Sequence, residues 1–176
     1  MPDQRGFHRI AELPDDGSRQ KEVYARFGLV AFKAQVFDHA LVNLLTVAGS
    51  IDKRMTQDEV DKCFETLFKK TSGQLVHDVS DQSRLKAGDL DICRSAVTER
   101  NRLIHRFFRE HAENFMTNRG QQSMLDDLGE IYDLIDQADH ACQRVMMRIG
   151  GPYGYTDEAV EAQMNVLMRR VNASDS

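Results

Sequence analysis

Proline, the residue that most reliably interrupts a helix, occurs only three times in the chain, at Pro2, Pro14 and Pro152. No proline therefore breaks the chain between residues 15 and 151, and apolar residues recur through that span with a helical period. The sequence offers no convincing strand, internal repeat or low-complexity tract. We predict an all-α fold, an antiparallel bundle of four to five helices followed by an extra C-terminal helix.

Long hydrophobic runs are also missing. No apolar run approaches the roughly 20 residues that a transmembrane helix needs, and residues 1–20 lack the apolar core of a signal peptide. Hydrophobic residues make up 41% of the chain and charged residues 29%, a balance typical of a soluble globular protein. We expect a cytoplasmic protein with a mobile arm over residues 1–20, a helical bundle over residues 21–149, and a glycine-rich joint and C-terminal helix over residues 150–176.

The sequence is poor in motifs that hold metals or cofactors. Cys63, Cys93 and Cys142 lie far apart and form no C-x-x-C pair, so we interpret them as small buried hydrophobic residues and expect no disulfide or zinc site. No H-E-x-x-H or E-x-x-H motif is present, and Asp136 and His140 form a lone pair on a charged helix face. Glycine-rich phosphate loops are absent too. We therefore predict no metal and no cofactor.

Capping motifs and turn residues divide the helical span into six segments. Thr56 and Glu59 form a capping box at the start of the second segment. Gly49 and Ser50 are expected to end the first segment, the stretch 117–122 (TNRGQQ) to form a loop, and the sequence GGPYGY at 150–155 to precede the last helix. The predicted segments span about residues 23–48, 56–70, 75–79, 89–114, 123–149 and 156 onwards.

Charge is distributed unevenly along the chain. The net charge of −5 argues against a protein that coats nucleic acid nonspecifically. Residues 94–110 of the fourth segment are nevertheless basic, because within them only Glu99 and Glu110 oppose the five arginines Arg94, Arg100, Arg102, Arg106 and Arg109. A local basic strip in an acidic protein suggests a specific anionic ligand, and the alternative is an ordinary solvated face.

Arg100 occupies an unexpected position on its helix. An α-helix advances about 100° per residue, which places Arg100 within the apolar arc formed by Val97, Ile104, Phe107 and Phe108. Asn101 and His105, four residues apart, stack at one rim of this arc. Moving a guanidinium out of water without an anionic partner costs on the order of several kcal/mol, as it does for other ions. Arg100 therefore needs an anion.

Asp38 is the natural partner, because it is equally out of place on the apolar stripe of the first segment. We predict that Asp38 and Arg100 form an ion pair between these two helices. The pair admits two interpretations. It is either a structural contact that fixes the helix register, or a device that orients Arg100 towards a bound phosphate.

The string from Arg100 to His105, RNRLIH, resembles the signature of the HEPN domain superfamily: arginine, a polar residue, three further residues and histidine. The stretch AQVFDHAL at 34–41 resembles the first helix of many HEPN proteins, where an acidic residue occupies the place of Asp38. The resemblance covers about residues 23–149. Phe107 stands where some HEPN toxins carry a modifiable tyrosine, so regulation by adenylylation at that position is excluded.

The resemblance implies a metal-independent endoribonuclease of the kind found in toxins, phage defence and RNA processing. Two motifs would face each other across a homodimer interface, and a 2′,3′-cyclic phosphate and a 5′-hydroxyl would be formed. His105 would serve as general acid/base, Arg100 would stabilise the scissile phosphate, and Asn101 would position reacting groups, with Asp38 in support. Arg102, Arg106 and Arg109 would guide the RNA backbone.

The resemblance also implies partners: an RNA such as a tRNA or mRNA, a second copy of the chain, and, for toxin members, an antitoxin protein. Other HEPN-like domains have no catalytic activity. The alternative is therefore a non-catalytic binding or dimerisation module in which the Asp38–Arg100 pair is structural.

Overall fold

The computed structural model describes residues 17–82 and 84–174, and this part of the chain is α-helical without any strand. The all-α prediction is therefore confirmed. Within these two ranges no helix is long and apolar enough to cross a membrane. The helices are α1 Ser18–Lys53, α2 Gln57–Leu67, α3 Ser72–Asp81, α4 Ala87–Glu110, α5 Asn118–Gly150 and α6 Asp157–Ser174, with short 3-10 turns at Asn114–Met116 and Gly151–Tyr153.

The long helices α1, α4 and α5 enclose the core. Helix α4 runs antiparallel to both of the others: Phe27 near the start of α1 packs on Phe107 near the end of α4, and Arg102 of α4 binds Asp127 of α5. Helices α1 and α5 consequently run in the same direction. Their buried side chains form one cluster that includes Val30, Phe37, Leu41, Leu103, Phe107, Leu128, Ile135 and Cys142.

A buried ion cluster joins α1 to α5. Lys33 Nζ lies 2.6 Å from Asp136 Oδ1 and 2.7 Å from Asp139 Oδ2. The Asp139 carboxylate is buried, and the Gln143 amide donates a second hydrogen bond to it at 3.1 Å. Burial disfavours the Lys33 charge, but the hydrogen bonds to both carboxylates outweigh it and raise the pKa of Lys33.

Helix α1 extends beyond both of its predicted ends. It begins at Ser18, inside the predicted arm of residues 1–20, whose residues 1–16 lie outside the described residues. The expected stop at Gly49 and Ser50 is wrong. The Ser50 hydroxyl donates to the Val47 carbonyl at 2.9 Å, so the helix accommodates it. The helix ends instead at Lys53, because the left-handed backbone of its C-cap Arg54 turns the chain so that the Met55 N–H donates to the Ser50 carbonyl at 3.2 Å.

The predicted loop 117–122 and a helix start at Ser123 are also wrong. Helix α5 begins at Asn118, because Thr117 is its N-cap and the Thr117 hydroxyl accepts from the Gly120 N–H at 3.0 Å. A Cβ on Gly120 would come within 2.2 Å of the Asn114 carbonyl oxygen. Glycine is therefore required there by the tight connection between α4 and α5, and it does not mark a loop.

Other local predictions are confirmed. The Thr56 N–H donates to Glu59 Oε2 at 2.8 Å in the predicted capping box. The three cysteines are free; Cys93 and Cys142 are buried, and Cys63 is half-buried. The Asp136–His140 pair differs from its prediction, because Asp136 is half-buried and binds Lys33 at 2.6 Å, while His140 Nδ1 lies 3.2 Å from its Oδ2.

Helix α6 follows the glycine-rich joint, and Thr156 caps it as predicted, since its hydroxyl accepts from the Ala159 N–H at 3.3 Å. Every α6 residue from Asp157 to Ala173 is exposed. Its apolar stripe therefore does not cover the bundle of its own chain. The exposed members of the stripe are Val160, Met164, Leu167, Met168 and Val171.

We expect Lys33→Ala to lower the free energy of unfolding by about 3–5 kcal/mol, because it leaves the buried Asp139 carboxylate without its cation. Urea unfolding at pH 7 measures the change. Lys62→Ala on the exposed face of α2 is the matched control, with an expected change within about 0.5 kcal/mol. Equal effects of the two substitutions would contradict a stabilising role for the cluster.

Candidate functional site

A cleft of about 710 Å³ opens between α1, α3 and α4. Its volume lies within the range of about 300–1,000 Å³ usual for ligand pockets. Polar groups from all three helices converge on it. Its lining comprises Gln35, Asp38, His39 and Val42 of α1, Phe68, Lys70 and Thr71 of the α2–α3 connection, Ser72, Gly73 and Leu75 of α3, and Arg100, Asn101 and His105 of α4.

The predicted Asp38–Arg100 ion pair is present at the base of the cleft. Arg100 Nη2 lies 3.0 Å from Asp38 Oδ2, and the two side chains are 26% and 21% exposed. Arg100 Nη1 also donates to Asn101 Oδ1 at 3.2 Å. The Nε atom of Arg100 is shielded from solvent and has no hydrogen-bond partner among the described residues. The pair thus fixes one edge of the guanidinium, while Arg100 still lines the open cleft.

Ser72 completes this arrangement from α3. Its hydroxyl donates to Asp38 Oδ1 at 2.5 Å, and the residue is buried. Thr71 is the N-cap of α3 and forms a capping box with Gln74, which places Ser72 at the first helical position. The turn residues at 71–73 indicate only that the second segment stops or bends there. The Thr71–Gln74 spacing is the sequence signal that identifies this stretch as a helix start.

Asn101 and His105 lie at the rim of the cleft, as the helical wheel predicted. Both are exposed. The His105 ring has no hydrogen-bond partner within the described ranges, so both ring nitrogens are available to a ligand. The structure therefore brings Arg100, Asn101, His105 and Asp38 together in one cleft.

The apolar arc of α4 is only partly buried. Val97 and Phe107 are buried, whereas Ile104 is 42% and Phe108 36% exposed. The arc is wider than the surface that α1 covers, so its far side faces solvent. Phe108 packs on the exposed Tyr24 of α1 with a centroid distance of 5.7 Å. Tyr24, Ile104 and Phe108, which we call the apolar strip, thus extend from beside His105 towards the start of α1.

The three further arginines do not line the cleft. Two positions after Arg100 correspond to a rotation of about 200° around α4, so Arg102 faces α5. There it forms a bidentate contact with Asp127, at 3.0 Å and 2.5 Å, and a bond to Glu99 at 2.6 Å. Counting the charges along α4 could not identify Asp127 as a partner of Arg102, because Asp127 lies on α5.

The Asp127 carboxylate also accepts from His111, whose Nε2 lies 2.7 Å away. Burial opposes the charge of Asp127, but the hydrogen bonds from Arg102 and His111 outweigh it and lower its pKa. The Asp127 hydrogen bond in turn raises the pKa of Arg102. This network joins α4 to α5, and it holds Arg102 away from the cleft. Arg106 lies 3.6 Å from Glu110 on the solvent side of α4.

Two cleft residues beyond Ser72 were not expected from the sequence. His39 packs against Phe68 with a centroid distance of 4.7 Å, and nothing in its sequence neighbourhood indicated this aromatic partner. Lys70 binds Asp78 Oδ2 at 2.5 Å on the outer edge of the cleft. Their clustering depends on how α2 and α3 fold back on α1, which no local pattern encodes.

In comparisons with known proteins, no family model, no curated protein and no solved structure matched this chain.

We expect Asp127→Asn to destabilise the fold at pH 7, because it removes the anion that binds Arg102 and His111. The folded-state pKa of Asp127 is lowered from its ordinary value of 3.8. The ionised carboxylate therefore contributes fully to the free energy of unfolding above pH 3.8, and this contribution is lost as the pH falls through the folded-state pKa. The difference in unfolding free energy between wild type and variant should therefore shrink below about pH 4.

Urea unfolding between pH 7 and about pH 2.5 measures that difference. Glu65→Gln on the exposed face of α2 is the control for a general change of charge. A difference between wild type and Asp127→Asn that stays constant over the whole pH range would contradict the assignment.

Proposed function

We propose that the protein is a metal-independent endoribonuclease of HEPN type, acting as a toxin, in phage defence or in RNA processing. The observation that carries the proposal is the convergence of Arg100, Asn101 and His105 on one cleft, with Asp38 holding Arg100. These are the residues of the R-N-x-x-x-H string that resembles the family's signature. The combination offers one cation, one neutral polar group and one imidazole to a single ligand.

The reaction is an internal transfer at phosphorus. The RNA 2′-oxygen forms a bond to the adjacent phosphorus, and the bond from phosphorus to the 5′-oxygen of the next nucleotide breaks. A base takes the 2′-hydroxyl proton, and an acid protonates the departing 5′-oxygen. A 2′,3′-cyclic phosphate and a 5′-hydroxyl result. No oxidant, metal or further reactant enters this balance.

Each residue has a role that fits its position. His105, exposed at the rim with both ring nitrogens available, exchanges protons with the RNA. Arg100 lies deeper, and its charge stabilises the phosphate as negative charge develops. Asn101 binds one guanidinium nitrogen and orients a 2′-hydroxyl or a phosphate oxygen. Asp38, anchored by Ser72, prevents Arg100 from turning into the solvent.

The reaction needs both a base and an acid, and the resemblance to HEPN domains implies that two copies of the motif supply them. The proposal therefore includes a homodimer, in which a second copy contributes its own motif to a composite site. Support comes from the apolar strip of Tyr24, Ile104 and Phe108, which leaves apolar surface exposed next to the motif. Arg106 and Arg109, on the solvent side of α4, are assigned to RNA backbone lying outside the cleft.

A second candidate function is a non-catalytic binding or dimerisation module. The Asp38–Arg100 contact at 3.0 Å favours it, because a carboxylate already neutralises the arginine that would serve a phosphate. In that case the bond from Ser72 makes the pair a three-helix joint whose purpose is stability. The two candidates differ in what His105 does, since His105 takes no part in the joint.

We expect the wild-type protein to cleave RNA in the presence of EDTA and His105→Ala to lose at least about 100-fold in rate, the usual contribution of a general acid or base. The assay uses total RNA and purified tRNA, and the product ends are mapped for cyclic phosphate. His77→Ala is the matched control, because His77 is an exposed histidine of α3 outside the cleft.

Equal rates of RNA cleavage by the wild type and by His105→Ala would contradict the proposed mechanism. No cleavage of any RNA by a folded wild-type protein would favour the binding module. Arg100→Ala gives a second comparison, because loss of activity with an unchanged melting temperature fits a phosphate ligand. If Arg100→Ala greatly lowers the stability and the wild-type protein shows no cleavage activity, the result fits the structural joint.

A further inference from the structure

Phe68 forms an aromatic wall of the cleft. It is the residue directly after α2, and it lines the same cleft as Arg100 and His105. Its ring makes edge contacts with Phe64 and with His39, each at a centroid distance of 4.7 Å. These contacts fix the orientation of the ring, and yet Phe68 remains 40% exposed. Part of the ring therefore faces the cleft.

Cationic groups lie around this wall. Lys70, two residues after Phe68, lines the same cleft and binds Asp78 in an ion pair that is open to solvent. A solvent-exposed ion pair contributes little to stability, so Lys70 can exchange Asp78 for a phosphate at little cost. Arg100 lies across the cleft on α4. The cleft is thus lined by one accessible aromatic ring and two cations.

We propose that Phe68 is a stacking platform for an unpaired nucleobase, and that the substrate of this site is therefore single-stranded RNA. The inference rests on the proposed function, and it adds the substrate class. Single-stranded nucleic acids bind proteins through aromatic rings that stack on bases and cations that follow the backbone. A base stacks on Phe68 while its phosphate lies at Arg100 and a neighbouring phosphate lies at Lys70.

Duplex RNA does not fit this arrangement. A paired base is already stacked on both faces, and proteins recognise A-form RNA mainly through its shape and its minor groove. The cleft of about 710 Å³ has room for an extruded nucleotide and not for a helix. The Phe68 platform therefore selects loops, bulges and unpaired ends.

The chain contains no tryptophan, which allows a direct optical test. Phe68→Trp places a single indole at the platform, and the His105→Ala background prevents cleavage during the titration. The probe is an RNA oligonucleotide of about ten nucleotides, within the usual site size for single strands, free or annealed to its complement, with adenosine monophosphate as a third titrant. We expect the free oligonucleotide to quench the indole fluorescence and the duplex to quench at least about fivefold more weakly.

Tyr153→Trp in the same background is the matched control. Tyr153 is 71% exposed and does not line the cleft, so the fluorescence of this variant should not respond. A second variant avoids any effect of the larger indole. Phe68→Leu keeps an apolar side chain but removes the ring, and we expect the affinity for a labelled oligonucleotide to fall about 5- to 100-fold.

Absence of quenching in the Phe68→Trp variant, or unchanged affinity of Phe68→Leu, overturns the platform whether or not the protein cleaves RNA. Equal quenching by the duplex, or quenching by the mononucleotide alone, overturns the assignment to single-stranded RNA. Quenching by the free oligonucleotide without any cleavage by the wild type would leave the platform standing and remove the proposed catalytic function. The two hypotheses therefore fail separately.

Discussion

The carboxylate of Asp38 is the contact on which the rest of the site depends. Its two oxygens bind Ser72 of α3 and Arg100 of α4, so one side chain of α1 connects three helices. Without it, the guanidinium of Arg100, which is 26% exposed, would lose the carboxylate that neutralises it and holds it in place. The cleft exists because the three helices meet around this group and diverge above it.

The proposed function requires one arginine to serve both stability and ligand binding, and the contact with Asp38 permits this. Asp38 engages one edge of the guanidinium and leaves the Arg100 side chain at the floor of an open cleft. A cation that is fixed in advance loses little conformational entropy when an anion arrives. Arg102, by contrast, uses both of its terminal nitrogens on Asp127 and serves only the packing of α4 on α5.

The sequence was most informative where a residue violated a local pattern. Arg100 and Asp38 each break an apolar stripe, and that shared anomaly was enough to predict their contact across 62 positions of chain. Thr56 and Glu59 predicted a helix start for a different reason, because a capping box can be recognised from the local sequence alone. Ser72, Asp127 and Phe68 break no pattern; their importance comes from tertiary neighbours. Gly120 led to a wrong prediction, since a glycine that permits close packing cannot be distinguished locally from one that permits a turn.

The shared direction of α1 and α5 has a consequence for how the chain assembles. Lys33 and Asp139 are 106 positions apart, so the central helix pair closes only after most of the chain is available. On a ribosome that adds about 5–20 residues per second, α1 would emerge roughly 5–20 seconds before its partner. During that interval α2, α3 and α4 can pack on α1, but the part of its apolar stripe that faces α5 has no native cover. Helix α1 is thus made before the other helices of the bundle, but its apolar surface is fully covered only after α5 has been made. Its exposure to chaperones and to other nascent chains follows from topology alone.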